Sequence, residues 1–306
     1  MRAVVFAYHE IGHVCLEEVL ASGMEVQALF THKDDPDEAI WFRTPRVLAE
    51  QKGIPVYDPE NLREGKWIEL LKKLAPDFIF SFYYRYMLPQ EILDAASVAA
   101  LNMHGSLLPR FRGRCPVNWV LIAGEEKTGV TLHVMEARPD AGDIVGQKEV
   151  AIAFDDTAHS LFLKLAQAAR DLMHELLPRL QSHTFTRTPQ AGQSSYYGGR
   201  KPEDGRIDWR QDARAIYNLV RAVAHPYPGA FTFLDGKKLF VWKALPEEVT
   251  HSAPFGRVIS TNPLLVAASR GALRLVSLQL GGGPELTAEE FASTHQLEGK
   301  QLGGTS

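Results

Sequence analysis

Three side chains of different kinds are spaced so that they could act together on a carbonyl group. Asn102 and His104 lie two residues apart in the segment Leu101–Pro109, at the end of an apolar run. Strand alternation therefore points both to one side. Gly105-Ser106 follows as a turn that leaves backbone groups free. Downstream, Pro139-Asp140-Ala141-Gly142-Asp143-Ile144 sets two carboxylates around a small-residue loop. A carboxamide, an imidazole and a carboxylate suit transfer of a small acyl group to an amine. Charge grows on the carbonyl oxygen as the amine attacks. An amide N–H and a protonated imidazole can stabilise it, one such donor typically contributing about 3 kcal/mol. The carboxylate raises the imidazole pKa and can take the amine proton directly or through water. The amine is its own nucleophile, so no activated Ser or Cys is required.

Each residue alone has a plainer reading. A strand-end histidine is commonly a satisfied structural group, an asparagine before a turn commonly caps it, and Asp-Ala-Gly-Asp is commonly a turn. The loop lacks the acidic repeat of a calcium site.

The elements around these residues read as an α/β fold. Ala3–Ala7, Val26–Thr31, Ile54–Tyr57, Phe78–Phe82, Ala99–His104 and Gly129–Met135 are expected strands. Helical spacing appears over Val14–Leu20, Val47–Lys52 and Trp67–Leu74. Alternation of the two predicts a doubly wound, mostly parallel sheet, with ligands bound where loops leave the carboxyl ends of strands. The first such loop is Tyr8-His9-Glu10-Ile11-Gly12 and not GxGxxG, which argues against a dinucleotide cofactor.

Past Val150 the pattern changes. Asp155, Asp156 and Thr157 can cap a helix whose stripe is Leu161, Leu165, Ala168, Leu172 and Leu176, ending before Pro178. Residues 182–205 read as a linker, dividing the chain into residues 1–200 and 201–306. The second part offers an amphipathic helix over Ala213–Val223. Short strands follow at Ala230–Leu234, Lys238–Lys243, Gly256–Ser260, Leu264–Ala268 and Leu273–Leu278. Asp235-Gly236 is a hairpin-turn signal, and the whole suggests a small barrel-like β domain.

Composition narrows the function classes. The 306 residues are 45% hydrophobic and 23% charged, ordinary globular usage. The formal charge of −4 and pI near 6.3 give no global attraction to phosphate polymers. The two cysteines, Cys15 and Cys115, form neither a disulfide framework nor a zinc-type pattern, so no metal is expected. The amino end meets Glu10 before an apolar stretch of signal-peptide length develops, and no apolar run approaches the ~20 residues that span a bilayer. A cytoplasmic enzyme without membrane insertion is expected. Oligomeric state is not readable.

The run His104–Pro109, then Arg112-Gly113 and Pro116, Thr128–Thr131 and Asp140–Ile144 resembles the folate-dependent formyltransferase family. Several motifs agreeing in order are specific where one short match is not. The resemblance implies Asn102, His104 and Asp140 as the catalytic trio, Asp143 as a structural acid, and 10-formyltetrahydrofolate as formyl donor. It extends through Asp204–Trp209, Arg221-Ala222 and Pro226–Ala230, which are similar to the barrel-like carboxy-terminal domain of methionyl-tRNA formyltransferases.

Val5–His9, Phe30–His32, Phe80–Arg85 and Val117–Leu121 resemble a narrower branch, the formyltransferase domain of bifunctional polymyxin-resistance enzymes. Those enzymes modify lipid A through UDP-4-amino-4-deoxy-L-arabinose. By that resemblance Tyr86, Met87 and Leu88, together with Glu136, Ala137, Arg138, Pro139 and Asp140, contact the folate, and Arg114 contacts substrate. Met87 and Leu88 would form an apolar wall for a pterin. The dehydrogenase-decarboxylase half of those enzymes has no counterpart before Ser306, so its oxidative activity is not carried over.

The amine remains to be chosen. A tRNA enzyme needs cationic surface beside its site. The insertion His32–Arg46 holds Lys33, Arg43 and Arg46 against Asp34, Asp35, Asp37 and Glu38, a poor clamp for nucleic acid. Arg200, Lys201 and Arg206 offer a basic patch near the linker. A nucleotide-linked amino sugar is the favoured acceptor and methionyl-tRNA the alternative. A formyltetrahydrofolate hydrolase and a non-catalytic binding module complete the possibilities.

Overall fold

The computed structural model describes residues 1–34 and 40–304. Asp35, Asp37 and Glu38, weighed above for the insertion's charge, lie outside the described residues. Among the described residues the first part of the chain carries nine strands: β1 (Arg2–Ala7), β2 (Glu25–Phe30), β3 (Val56–Tyr57), β4 (Phe78–Phe82), β5 (Ala99–His104), β6 (Arg112–Gly113), β7 (Lys127–Val134), β8 (Ile144–Ala151) and β9 (Tyr196–Tyr197). The helices between them are α1 (His9–Ala21), α2 (Pro45–Gln51), α3 (Gly65–Leu74), α4 (Gln90–Leu93), α5 (Pro116–Ile122) and α6 (Ala158–Gln181).

Seven strands form one sheet in the order β3-β2-β1-β4-β5-β7-β8. The pairs through β5 are parallel, and β7 and β8 join antiparallel at one edge. Ala3–Ala7 and Phe78–Phe82 are buried throughout, the mark of strands covered on both faces. The mostly parallel sheet expected from the sequence is therefore present. Strand β8 has no counterpart in the sequence reading. Its residues alternate in exposure and include Gln147, Lys148 and Glu149, because it is an edge strand with one wet face.

Helix α6 also departs from expectation, running through Pro178 to Gln181. The apolar stripe continues in Leu177 and Leu180, both buried. Their burial outweighs the one backbone bond that proline removes.

The chain packs as two compact units. Residues 1–116, 127–151 and 162–198 make one, and residues 117–126, 152–161 and 199 onward the other. Within the second, Asn118 Nδ2 donates to the Ala222 carbonyl at 2.7 Å, and Arg221 Nη1 donates to the Ala153 carbonyl at 3.2 Å. These bonds tie the two early segments to α7 (Ala213–Val223), a helix whose Asp212 cap accepts from Ala215 N. Six strands follow: β10 (Ala230–Leu234), β11 (Lys237–Glu247), β12 (Val258–Thr261), β13 (Leu264–Ala267), β14 (Ala272–Leu280) and β15 (Glu285–Thr287). They form an antiparallel sheet in which β14 pairs with β11, β13 and β15. Asp235 and Gly236 both take positive φ at the β10–β11 turn, as a two-residue primed hairpin requires. A closing helix α8 (Ala288–Thr294) begins with a Thr287–Glu290 capping box. No helix among the described residues is long and apolar enough to cross a membrane.

Candidate active site

The register between β5 and β7 builds the centre of the first unit. Asn102 lies opposite His133, and His104 opposite Thr131. Directly opposed residues share a face of the sheet. Asn102, His104, Thr131 and His133 therefore project together. Asn102 Nδ2 is 3.1 Å from His133 Nε2, whose ring anchors its Nδ1 on the Val134 carbonyl at 2.8 Å. A carbonyl only accepts, so Nδ1 of His133 carries a hydrogen.

His104 follows the same logic with its nitrogens exchanged. Its Nε2 lies 2.8 Å from the Phe111 carbonyl and donates to it. Its Nδ1 faces Asp140 Oδ1 at 3.5 Å. Burial pulls the His104 pKa below its ordinary value, outweighing the opposing pull of Asp140 and the Phe111 carbonyl. The neighbouring His133 and Arg112 add to the lowering. The imidazole is thus neutral near pH 7, with a lone pair on Nδ1. The sequence shows the carboxylate but not the depth of burial, and so leaves the charge on this ring open.

Strand β7 runs antiparallel to β5 and leaves the sheet where β5 begins, with Met135 N donating to the Ala100 carbonyl at 2.8 Å. The following loop must double back to bring Asp140 to His104. Gly142 permits it: a Cβ there would sit 2.1 Å from the Val134 carbonyl oxygen. Asp140 itself adopts φ 53°, left-handed backbone that aspartate tolerates better than most residues. Its Oδ2 accepts from Gly113 N at 2.8 Å, and its Oδ1 lies 3.4 Å from His133 Nε2. Burial opposes the charge, but His104, His133 and the Gly113 N–H together hold the carboxyl down at about 2. It is a carboxylate at every working pH.

The loop after β5 is equally determined. Ser106 Oγ donates to the Arg110 carbonyl at 2.7 Å, and Thr131 Oγ1 donates to the Ser106 carbonyl at 2.6 Å. Gln147, on β8, donates to both Leu108 O and Thr131 Oγ1 at 2.9 Å. These bonds aim the Phe111 carbonyl at His104.

The sequence-derived site residues separate into groups. Asn102, His104 and Asp140 converge as described. Tyr86 and Met87 are 49% and 61% exposed, unusual for large apolar side chains. Leu88 is only 9% exposed and packs with Ile92 and Leu93 in the core, so its side chain is not a surface wall. Glu136, Ala137, Arg138 and Pro139 are exposed on the loop that carries Asp140. Arg138 lies over the Tyr196 ring, 5.2 Å from its centroid, and Tyr196 donates its hydroxyl to the Pro139 carbonyl at 2.8 Å. Arg114 is exposed, with its backbone N bonded to the Tyr197 carbonyl at 3.0 Å.

Sequence reasoning passed over residues that return from the supposed linker. Ser195 accepts Phe111 N on its hydroxyl at 2.9 Å and Arg112 N on its carbonyl at 2.9 Å. Tyr196-Tyr197 pairs with Arg112-Gly113 as a two-stranded ribbon. Gln190 bonds to the Asp140 loop itself. The only available signal was the pair of tyrosines, a β-prone dipeptide among Ser and Gly.

A carbonyl-activating amide beside a neutral imidazole and a carboxylate can transfer an acyl group to an amine. Comparison with known families agrees with that chemistry. Residues 1–179 match the formyl transferase family and residues 200–296 the formyl transferase C-terminal domain. The chain belongs to the formyl transferase family.

Solved structures share the fold at low identity. HypX from Aquifex aeolicus is 20% identical over 96% of this chain, with a TM-score of 0.64, and this chain spans 47% of it, about half its length. The N-formyltransferase from Helicobacter canadensis, solved with folinic acid and dTDP-3-aminofucose, is 18% identical over 91% of this chain and 98% of its own, with a TM-score of 0.68. Methionyl-tRNA formyltransferase from Clostridium thermocellum is 17% identical over 82% of this chain and 95% of its own, with a TM-score of 0.55.

Proposed function

We propose that the protein transfers a formyl group from 10-formyltetrahydrofolate to the amine of a nucleotide-linked amino sugar, with UDP-4-amino-4-deoxy-L-arabinose the first candidate. The observation that carries this reading is the convergence of Asn102, neutral His104 and ionised Asp140 on one face of the sheet. The exposed Tyr86 and Met87 fit a flat aromatic ring, and the exposed Glu136–Pro139 segment can present backbone groups to its edge. The carrier supplies a formyl carbon bound to a nitrogen that can leave.

On this reading His104 Nδ1 accepts the proton lost by the amine as its nitrogen bonds to the formyl carbon. Asp140 stabilises the imidazolium that results. Asn102 keeps one amide hydrogen on His133 and offers the other to the developing oxyanion. His104 then returns its proton to the departing carrier nitrogen as the old carbon–nitrogen bond breaks and the carbonyl re-forms. The ring ends neutral, as it began.

Side-chain pairing in the insertion supports a small acceptor over tRNA. Arg43 donates Nε to Glu10 Oε1 at 3.0 Å, and Arg46 Nη2 lies 2.7 Å from Asp58 Oδ2. Both guanidinium groups are matched by carboxylates and offer little to a phosphate backbone. The Helicobacter enzyme with the same fold was solved with dTDP-3-aminofucose, an acceptor of the class proposed here.

The deciding experiment incubates the protein and 10-formyltetrahydrofolate with either UDP-4-amino-4-deoxy-L-arabinose or charged initiator tRNA. Formylation of the sugar is expected. Formylation of tRNA alone would replace the sugar reading with the tRNA one.

A further inference from the structure

Gln190 lies in a stretch whose composition reads as linker, yet the chain there is folded tightly against the site. Two residues earlier, Thr188 exchanges both backbone bonds with Ile144, at 2.8 and 2.9 Å. The Gln190 amide nitrogen donates to the carbonyls of Asp140 at 2.9 Å and Gly142 at 2.7 Å. Its amide oxygen accepts from Arg112 Nε at 3.1 Å and Nη2 at 2.6 Å. Both hydrogens and both lone pairs of the carboxamide are thereby occupied.

We propose that Gln190 is a positioning residue for formyl transfer, holding the Asp140 loop and the buried Arg112 guanidinium in fixed places around His104. The proposal rests on the reading of Asp140 and His104 as reacting groups.

Two features make the position demanding. Asp140 sits in left-handed backbone, and the two bonds from Gln190 fall on its own carbonyl and on that of Gly142, clamping the strained turn from outside. Arg112 is 7% exposed, and its charge lies close enough to His104 to disfavour protonation of that ring. Binding it to a neutral amide oxygen fixes the charge without supplying a competing anion. Only a carboxamide of this length accepts from the guanidinium and donates twice to the loop. An ionised glutamate accepts but cannot donate, and a leucine does neither.

The test compares Gln190→Leu, Gln190→Glu and Asp140→Asn with the wild-type protein. It uses steady-state formyl transfer across pH 5.5–8.5, with melting curves for each variant. A displaced catalytic group costs about 10²-fold in rate. Gln190→Leu is therefore expected to lose about 10²-fold in kcat while KM for both substrates changes by less than about threefold. Gln190→Glu still accepts from Arg112 but donates to neither carbonyl, so it is expected to be equally slow at pH 8. Its carboxylate also offsets the Arg112 charge that disfavours a proton on His104, so the acid limb of its profile should lie at higher pH than that of the wild type. That displacement is not produced by general loss of stability, and it decides the matter if the leucine variant folds poorly. Wild-type kcat in a normally melting Gln190→Leu, or a Gln190→Glu acid limb that coincides with that of the wild type, overturns the proposal. Undiminished turnover by Asp140→Asn would instead remove the reading of the site on which it rests.

Discussion

Nδ1 of His104 faces Oδ1 of Asp140 across 3.5 Å, while Nε2 of the same ring donates to the Phe111 carbonyl at 2.8 Å. The ring is thereby fixed in one tautomer, with a single basic edge turned toward a permanent anion. A neutral imidazole in this setting is a base in waiting. Gaining a proton creates an ion pair with Asp140, and losing it restores the resting state. The chemistry needs no further charged group.

Asn102→Ala should lower kcat by about 10²–10³-fold, the usual cost of one preorganised oxyanion donor, with KM little altered. Single-turnover measurement of formyl transfer checks this. His104→Ala should be at least as slow, and unchanged turnover in it would end the proposed mechanism.

The pH dependence has a definite sign. In the proposed mechanism His104 acts in its neutral form, and burial holds its pKa below the usual value of 6.5. The acid limb of kcat/KM is therefore expected below pH 6.5. Asp140 raises the His104 pKa, so Asp140→Asn should move that limb further toward acid while depressing kcat. A limb above pH 6.5 in the wild-type profile contradicts a buried neutral base.

Stability should also fall with acid, through different histidines. Burial, helped by Arg85, lowers His9 to about 3 and His32 to about 4. The unfolded chain binds these protons below pH 6.5 and the folded chain does not. Their neutral forms are thus fully compatible with the fold above pH 6.5, and stability is lost as pH falls from there toward 4. The slope approaches about 1.4 kcal/mol per pH unit for each fully excluded proton, and less for a partly screened ring. Urea titrations at pH 7, 6 and 5 should show the loss. His9→Asn should reduce it, since asparagine tolerates the φ of 66° at that position.

Gly113 has φ 95°, and a Cβ there would sit 2.2 Å from the Tyr197 carbonyl oxygen. Gly113→Ala should cost on the order of 2–4 kcal/mol, by strain and by parting the β6–β9 ribbon. Gly198→Ala, where nothing lies within 4 Å of the added carbon, should change stability by no more than about 0.5 kcal/mol. Paired melting curves separate the two. Equal melting temperatures would show that the close approach is relaxed in solution.

What the sequence disclosed depended on how local the signal was. The buried strands Ala3–Ala7 and Phe78–Phe82 announce themselves by unbroken apolar runs, and α7 by its one-sided stripe. Asn102 and His104 share a strand, so their common direction follows from alternation alone. His133 needs the register between β5 and β7, which no short-range pattern encodes. Strand β8 hides because a wet edge reads as polar loop. Gln190 was unreadable for a stronger reason: its partners lie about fifty residues and more away, at Asp140, Gly142 and Arg112. The neutrality of His104 likewise depends on burial that only the assembled fold creates.

The ribbon formed by Arg112-Gly113 and Tyr196-Tyr197 sets an order of assembly. Until residues near 197 have left the ribosome and docked, nothing holds the Phe111–Gly113 turn from that side, and the acid at 140 has no settled backbone donor. A nascent chain that has completed its sheet and long helix is therefore a scaffold without a working centre. Catalytic competence arrives late in synthesis, with a few residues that look like the spacer after the domain.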